Sequence, residues 1–189
     1  PGGHRAQPLR VALRERADGL DCRGVGGGRV WTARLERDAE RLRAVAAGPL
    51  VLPGAPGEEP VDLRFDVAEA DAVVVYPGAL AVRERAGGGW RILRPTLAPG
   101  AALARVAAAA GRVWLATDRG LFSAEALDGP WQRAAAPLGA QPVHALVGAG
   151  ARLFVANDGG VRALSAPAQP ARPLAEAAPG APALPAGPC

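Results

Sequence analysis

One spacing constrains this chain more than any other feature. Short apolar cores recur at Val30 in GRVWTA, Val73 in DAVVVYPG, Val113 in GRVWLATDRG and Leu153 in ARLFVANDGG, separated by 43, 40 and 40 residues. A second apolar position, Leu20, Leu63, Leu103 or Val143, precedes each core by ten residues. A fixed period of this size means that one supersecondary unit repeats and that each unit covers the apolar face of its neighbour.

The third copy shows what the unit is. Arg112–Thr117 is a short apolar run without polar alternation, so both its faces need cover. It is short for a helix, rich in strand formers, and ends at Asp118-Arg119-Gly120, a turn signal. Leu121 and Phe122 begin the return strand. In the last copy the turn is Asn157-Asp158-Gly159-Gly160, where glycine supplies the positive φ of a tight hairpin. Strands buried on both faces at a period of about 40–45 residues predict an all-β fold of β-propeller type. We expect about four antiparallel blades, closed as a four-bladed ring or forming part of a larger one. Trp114 aligns in this register with Trp31, Val74 and Phe154, and is expected in the core between blades.

The rest of the chain follows from that register. Residues 1–8 read as a flexible lead, 9–165 as the repeats, and 166–189, almost all Pro and Ala around a few polar residues, as an extended tail. Leu9–Arg16 alternates as a half-buried strand and is expected to give its edge to the last blade. Leu20–Val25 and Arg29–Leu35 read as the first two strands of repeat one. Leu35, Ala39, Leu42 and Ala46 have helical spacing, but the register places a turn near Glu36–Ala39 and a strand at Arg41–Ala46. Val143–Val147 reads as the first strand of repeat four and carries His144. The alanine runs 101–104 and 107–110 favour helix by propensity alone, and Gly100 and Gly111 bound them.

Composition excludes more than it assigns. All 22 basic residues are Arg, the net charge is only +4, and Glu36, Asp38 and Glu40 interrupt the arginine run of Arg34–Arg43. That is a mixed solvated surface, not a nucleic-acid groove. Arginine without lysine fits a GC-rich bacterial genome. No stretch of about 18 apolar residues is present to span a membrane. The start at Pro1, without an initiator Met, is expected of a processed chain or of a fragment. Two cysteines without a CxxC offer no usual zinc site, and a catalytic triad has no matched residues. We therefore expect no catalytic residues, no metal and no cofactor. The candidate contact residues are Asp118, Arg119, Asn157 and Asp158 in the hairpin turns, together with His144. Local hydrogen bonding and strand packing are the alternatives for each.

Two segments resemble degraded Asp-box turns, the Ser-x-Asp-x-Gly-x-x-Trp motif of sialidase-like and photosystem-assembly-factor-like bacterial propellers. One is RERAGGGW, Arg83–Trp90; the other is SAEALDGPW, Ser123–Trp131. ATDRGLFSAE, Ala116–Glu125, resembles the blade hairpin of the same families. The resemblance implies an extracytoplasmic bacterial propeller, periplasmic or secreted, and carries over no sialidase residues; the lone Tyr76 sits in an apolar run and reads as core. Four repeats in this length are also similar to haemopexin-like domains, where a disulfide joins first and last blades, and Cys22 with Cys189 are placed to do so. A terminal cysteine after a Pro/Ala linker also resembles a processed sorting signal. The function expected is a non-enzymatic scaffold that binds another protein. The alternatives are a glycan-binding or sialidase-like propeller and a ligand-sensing part of a receptor.

Overall fold

A computed structural model describes residues 10–17, 19–26, 28–38, 41–50, 52, 57–85, 89–135, 138, 140–165 and 172–173. The lead, Cys189 and most of the Pro/Ala stretch lie outside the described residues.

Sixteen strands form four antiparallel four-stranded sheets, each a simple meander, and no helix occurs among the described residues. Sheet 1 is β1 (Arg10–Arg16), β2 (Gly19–Gly26), β3 (Arg29–Asp38) and β4 (Arg41–Leu50). Sheet 2 is β5 (Asp62–Val67), β6 (Ala70–Tyr76), β7 (Ala79–Glu84) and β8 (Trp90–Leu93). Sheet 3 is β9 (Leu103–Ala109), β10 (Arg112–Thr117), β11 (Gly120–Ala124) and β12 (Gln132–Arg133). Sheet 4 is β13 (Ala145–Ala149), β14 (Arg152–Asn157), β15 (Gly160–Ser165) and β16 (Arg172–Pro173). β16 belongs to the stretch read as tail and pairs there with β15.

The sheets stack in chain order through their first strands: β1 meets β5, β5 meets β9, and β9 meets β13. No comparable packing joins β13 to β1 among the described residues. The four sheets thus form an arc with a seam between each successive pair. A core of Val25, Val30, Leu63, Val74, Tyr76 and Ala81 fills the first seam. Val73, Val75, Val106, Val113 and Leu115 fill the second. Trp114, Leu121, Leu146, Leu153 and Val155 fill the third. At the third seam the backbones nearly touch: a Cβ on Gly148 would lie 2.0 Å from the carbonyl oxygen of Ala108. Glycine in β13 and alanines in β9 are what permit that approach.

Three expectations are corrected. β1 does not serve the last sheet; it pairs with β2 from Arg10↔Val25 to Arg16↔Gly19 and opens sheet 1. Leu20–Val25 and Arg29–Leu35 are therefore second and third strands, not first and second. His144 precedes β13 instead of lying on it. The register changes as well. The pairs that close the equivalent hairpins are Gly26↔Arg29, Tyr76↔Ala79, Thr117↔Gly120 and Asn157↔Gly160, steps of 50, 41 and 40 residues. The odd middle step matters, because one residue of slip moves a side chain to the other face of its strand. The residues equivalent to Trp114 are Phe154, Val73 and, in sheet 1, Arg23. Val74 faces the opposite way, and Trp31 lies on a third strand.

Trp114 is 8% exposed, and its indole N–H donates to the Ala109 carbonyl at 3.1 Å. Phe154 holds the same place on sheet 4, where no further sheet covers it among the described residues, and is half-buried. Trp114→Ala is expected to cost about 3–5 kcal/mol in urea melts. In the isolated chain, at dilution where copies do not associate, Phe154→Ala is expected to cost about 1 kcal/mol, less than a fully buried aromatic. Equal losses in the two variants would show that the last sheet is covered.

Candidate functional site

The hairpins joining second to third strands share one end of the arc with the segments that lead into each sheet, and polar side chains tie the two together. In sheet 2, the Gly78 amide donates to Glu58 at 2.9 Å. In sheet 3, Asp118 accepts from the Ala102 amide at 2.8 Å and the Arg119 guanidinium donates to the Pro99 carbonyl at 3.0 Å. Thr117 fixes the turn itself: its hydroxyl donates to the Gly120 carbonyl and accepts from the Arg119 amide. In sheet 4, Asn157 donates to Gln141 at 2.9 Å and accepts from the Gly159 amide at 2.9 Å. His144 Nε2 lies 2.6 Å from Asp158 Oδ1. His144, Asn157 and Asp158 are thus gathered on one hairpin, and Asp118 and Arg119 on the neighbouring one. All five make contacts within the chain. The second Asp-box-like segment lines a cleft of about 550 Å³ between sheets 2 and 3, with Asp128 held by Arg91 at 3.3 Å.

The densest electrostatic feature lies elsewhere, in the seam between sheets 1 and 2, and sequence reasoning missed it. Arg14 on β1 donates to Asp66 through Nε at 3.0 Å and Nη2 at 2.6 Å, and also to the Asp71 carboxylate and carbonyl. A bulge aims Asp71: Ala70 pairs with Glu84 and Ala72 with Arg83, so Asp71 has no partner on β7. Asp66 has a left-handed φ of 53° and also accepts from Arg85 at 3.3 Å. Arg23, 8% exposed, stacks 4.9 Å from the Phe65 ring centre and 5.9 Å from that of Trp90. Asp71 Oδ2 lies 3.8 Å from its Nη2, and Arg83 lies 3.9 Å from the same oxygen. Both distances exceed a hydrogen bond. The sequence signal was available: Arg23 stands in the row of Val73, Trp114 and Phe154, but only once the first step is taken as 50 residues.

Burial acts to raise the Asp71 pKa, but the Arg14 hydrogen bond and the charges of Arg14, Arg23 and Arg83 outweigh it and hold the carboxyl below its ordinary value. For Arg23, burial first and the neighbouring Arg83 charge second pull the pKa down despite Asp71 and Asp21.

No family model matches the chain, and no curated protein matches it. Among solved structures it is similar to a catalytically inactive virginiamycin B lyase from Staphylococcus aureus with quinupristin. Identity is 11%, the TM-score is 0.52, and the match covers 79% of this chain and 63% of that one. That lyase is a β-propeller, and the all-β arc of four sheets is β-propeller-like. The chain spans less than two thirds of the matched structure. The likeness stops at the fold, and no family model supports the Asp-box resemblance. It also corrects one expectation: the matched propeller is an enzyme, so the fold is no ground for reading this chain as non-enzymatic. At this identity it assigns no reaction.

A depressed aspartate stabilises the fold fully above its unfolded value of about 3.9, and that contribution disappears as pH falls through the lower folded value. The first seam is therefore expected to weaken below about pH 4. Asp71→Asn should lower stability at pH 7 by about 1–3 kcal/mol, since it leaves three arginines short of a carboxylate. At pH 3 the gap to wild type should narrow. Urea midpoints at the two pH values measure both effects; a gap independent of pH would assign the loss to packing instead of charge.

Proposed function

We propose that this chain is a protein-binding propeller arc of an extracytoplasmic bacterial system, and that it binds through the two uncovered faces at the ends of the arc. One observation carries the reading. Among the described residues the exposed large hydrophobics are Val11, Leu13, Trp31, Val147 and Val161, and all five lie on those faces.

The register gives their arrangement. On the rear face of sheet 1, Val11, Gly24, Trp31 and Pro49 form one row, and Leu13, Cys22, Ala33 and Ala47 the next. A groove of about 480 Å³ runs over Val11, Cys22, Trp31, Ala33 and Ala47. On the forward face of sheet 4, Val147, Phe154 and Ala163 form one row, and Ala145, Ala156 and Val161 another. Apolar patches of this kind mark interaction surfaces.

The partner that fits is a second copy. Every internal seam joins the forward face of one sheet to the rear face of the next, and among the described residues one face of each kind is left uncovered. Two copies joined head to tail at both ends bury both faces and close a ring with twofold symmetry.

Sedimentation at micromolar concentration is expected to give a two-chain species. Trp31→Glu or Val147→Glu, both at solvent-exposed positions, should give folded monomers with unchanged β-sheet circular dichroism. Peptide-mapped maleimide labelling of Cys22, half-exposed on the groove floor, should be slower in wild type than in Val147→Glu. A wild-type monomer with freely labelled Cys22 would overturn the proposal.

A further inference from the structure

Arg23 is the odd member of its row. Where sheets 2, 3 and 4 place Val73, Trp114 and Phe154, sheet 1 buries a guanidinium. Its Nη1 has no hydrogen-bond partner, its Nη2 lies 3.8 Å from Asp71 Oδ2, and the other oxygen of that carboxylate, Oδ1, is taken by Arg14. A buried donor left unmade is costly, and an arginine in a row of hydrocarbon costs more than the residue it replaces. Its surroundings do not balance it. Arg14, Arg23, Arg83 and Arg85 converge on Asp66 and Asp71, with Asp21 as the further carboxylate acting on Arg23.

We propose that the seam between sheets 1 and 2 is a binding site for a small oxyanion, a carboxylate or phosphate group, held between Arg23 and Arg83. The planar donor fork of arginine matches two oxygens of such a group. Phe65 and Trp90 flank the Arg23 guanidinium and fix its plane by cation–π contact. Arg83, whose side chain is 41% exposed, gives the anion a route from solvent, while Arg23 forms the inner wall. Asp71 lies 3.8–3.9 Å from both guanidiniums, so it orients them without occupying their donors. An anion in this place also relieves the mutual repulsion of Arg23 and Arg83, which acts to lower the Arg23 pKa.

The test is calorimetric titration of the full chain with inorganic phosphate and with acetate, at an ionic strength held constant by chloride. Saturable binding of either oxyanion is expected, and the preferred one identifies the group. Arg83→Gln should weaken binding by about ten- to hundredfold, the loss of one charge-assisted hydrogen bond. Arg23→Met restores the apolar row, so it should fold with an undiminished melting temperature and lose binding altogether. Three results would overturn the site: no saturable heat with either oxyanion, equal binding of chloride, or phosphate binding that survives in both variants. If Arg23→Met does not fold, Arg83→Gln at its exposed position decides alone.

Discussion

Everything in this chain depends on one requirement, that a β-sheet with two apolar faces needs a neighbour on each side. A meander of four short strands satisfies its backbone internally but leaves both faces to be covered. Sheets 2 and 3 meet the requirement entirely from within the chain. Their second strands, β6 and β10, are almost wholly buried. Sheets 1 and 4 meet it on one side only, and the exposed apolar side chains collect there. The fold and the proposed binding mode thus express the same physical demand, satisfied in the middle of the arc and open at its ends.

The three seams are chemically unequal. The cores of the second and third are built of valine, leucine and aromatic side chains, with the Arg91–Asp128 ion pair bridging sheets 2 and 3 at the surface. The first combines an apolar patch around Val25, Val30, Leu63 and Val74 with a stretch of arginines, aspartates and two aromatic rings. Hydrocarbon seams respond little to pH or salt. The first seam is expected to respond to both, because its carboxylates hold like-charged arginines together, and removing a carboxylate leaves those charges unpaired. The shared position of Arg23 and Trp114 shows how one repeat supports both: the backbone sets the place, and the side chain decides whether it serves packing or charge.

How far the sequence could be read follows from these seams. Sheets 3 and 4 were legible because Asp118-Arg119-Gly120 and Asn157-Asp158-Gly159-Gly160 mark the hairpins and the runs before them are uniformly apolar. Sheet 1 was not, since β3 and β4 extend to ten residues each and mix arginine, glutamate and alanine. With no clean apolar core on β2, the alignment settled on Val30, one strand too late. β9 was legible from the register alone: its alanines favour helix in isolation, but the period places the first strand of repeat three at Leu103–Ala107, and β9 spans Leu103–Ala109, where the close approach of Gly148 on β13 leaves little room for larger side chains. The arginine site stayed hidden for a related reason. A search for apolar periodicity passes over the one position where the period is kept and the polarity broken.

The two end faces differ in polarity of direction: one is always the front of a sheet and the other always the back. Contacts between copies therefore run one way only, like links in a chain. If the rotation from sheet to sheet divides the circle, the series closes and stops. If it does not, the same contact propagates without limit as a fibre. The geometry of closure is what stands between a finite ring and a filament.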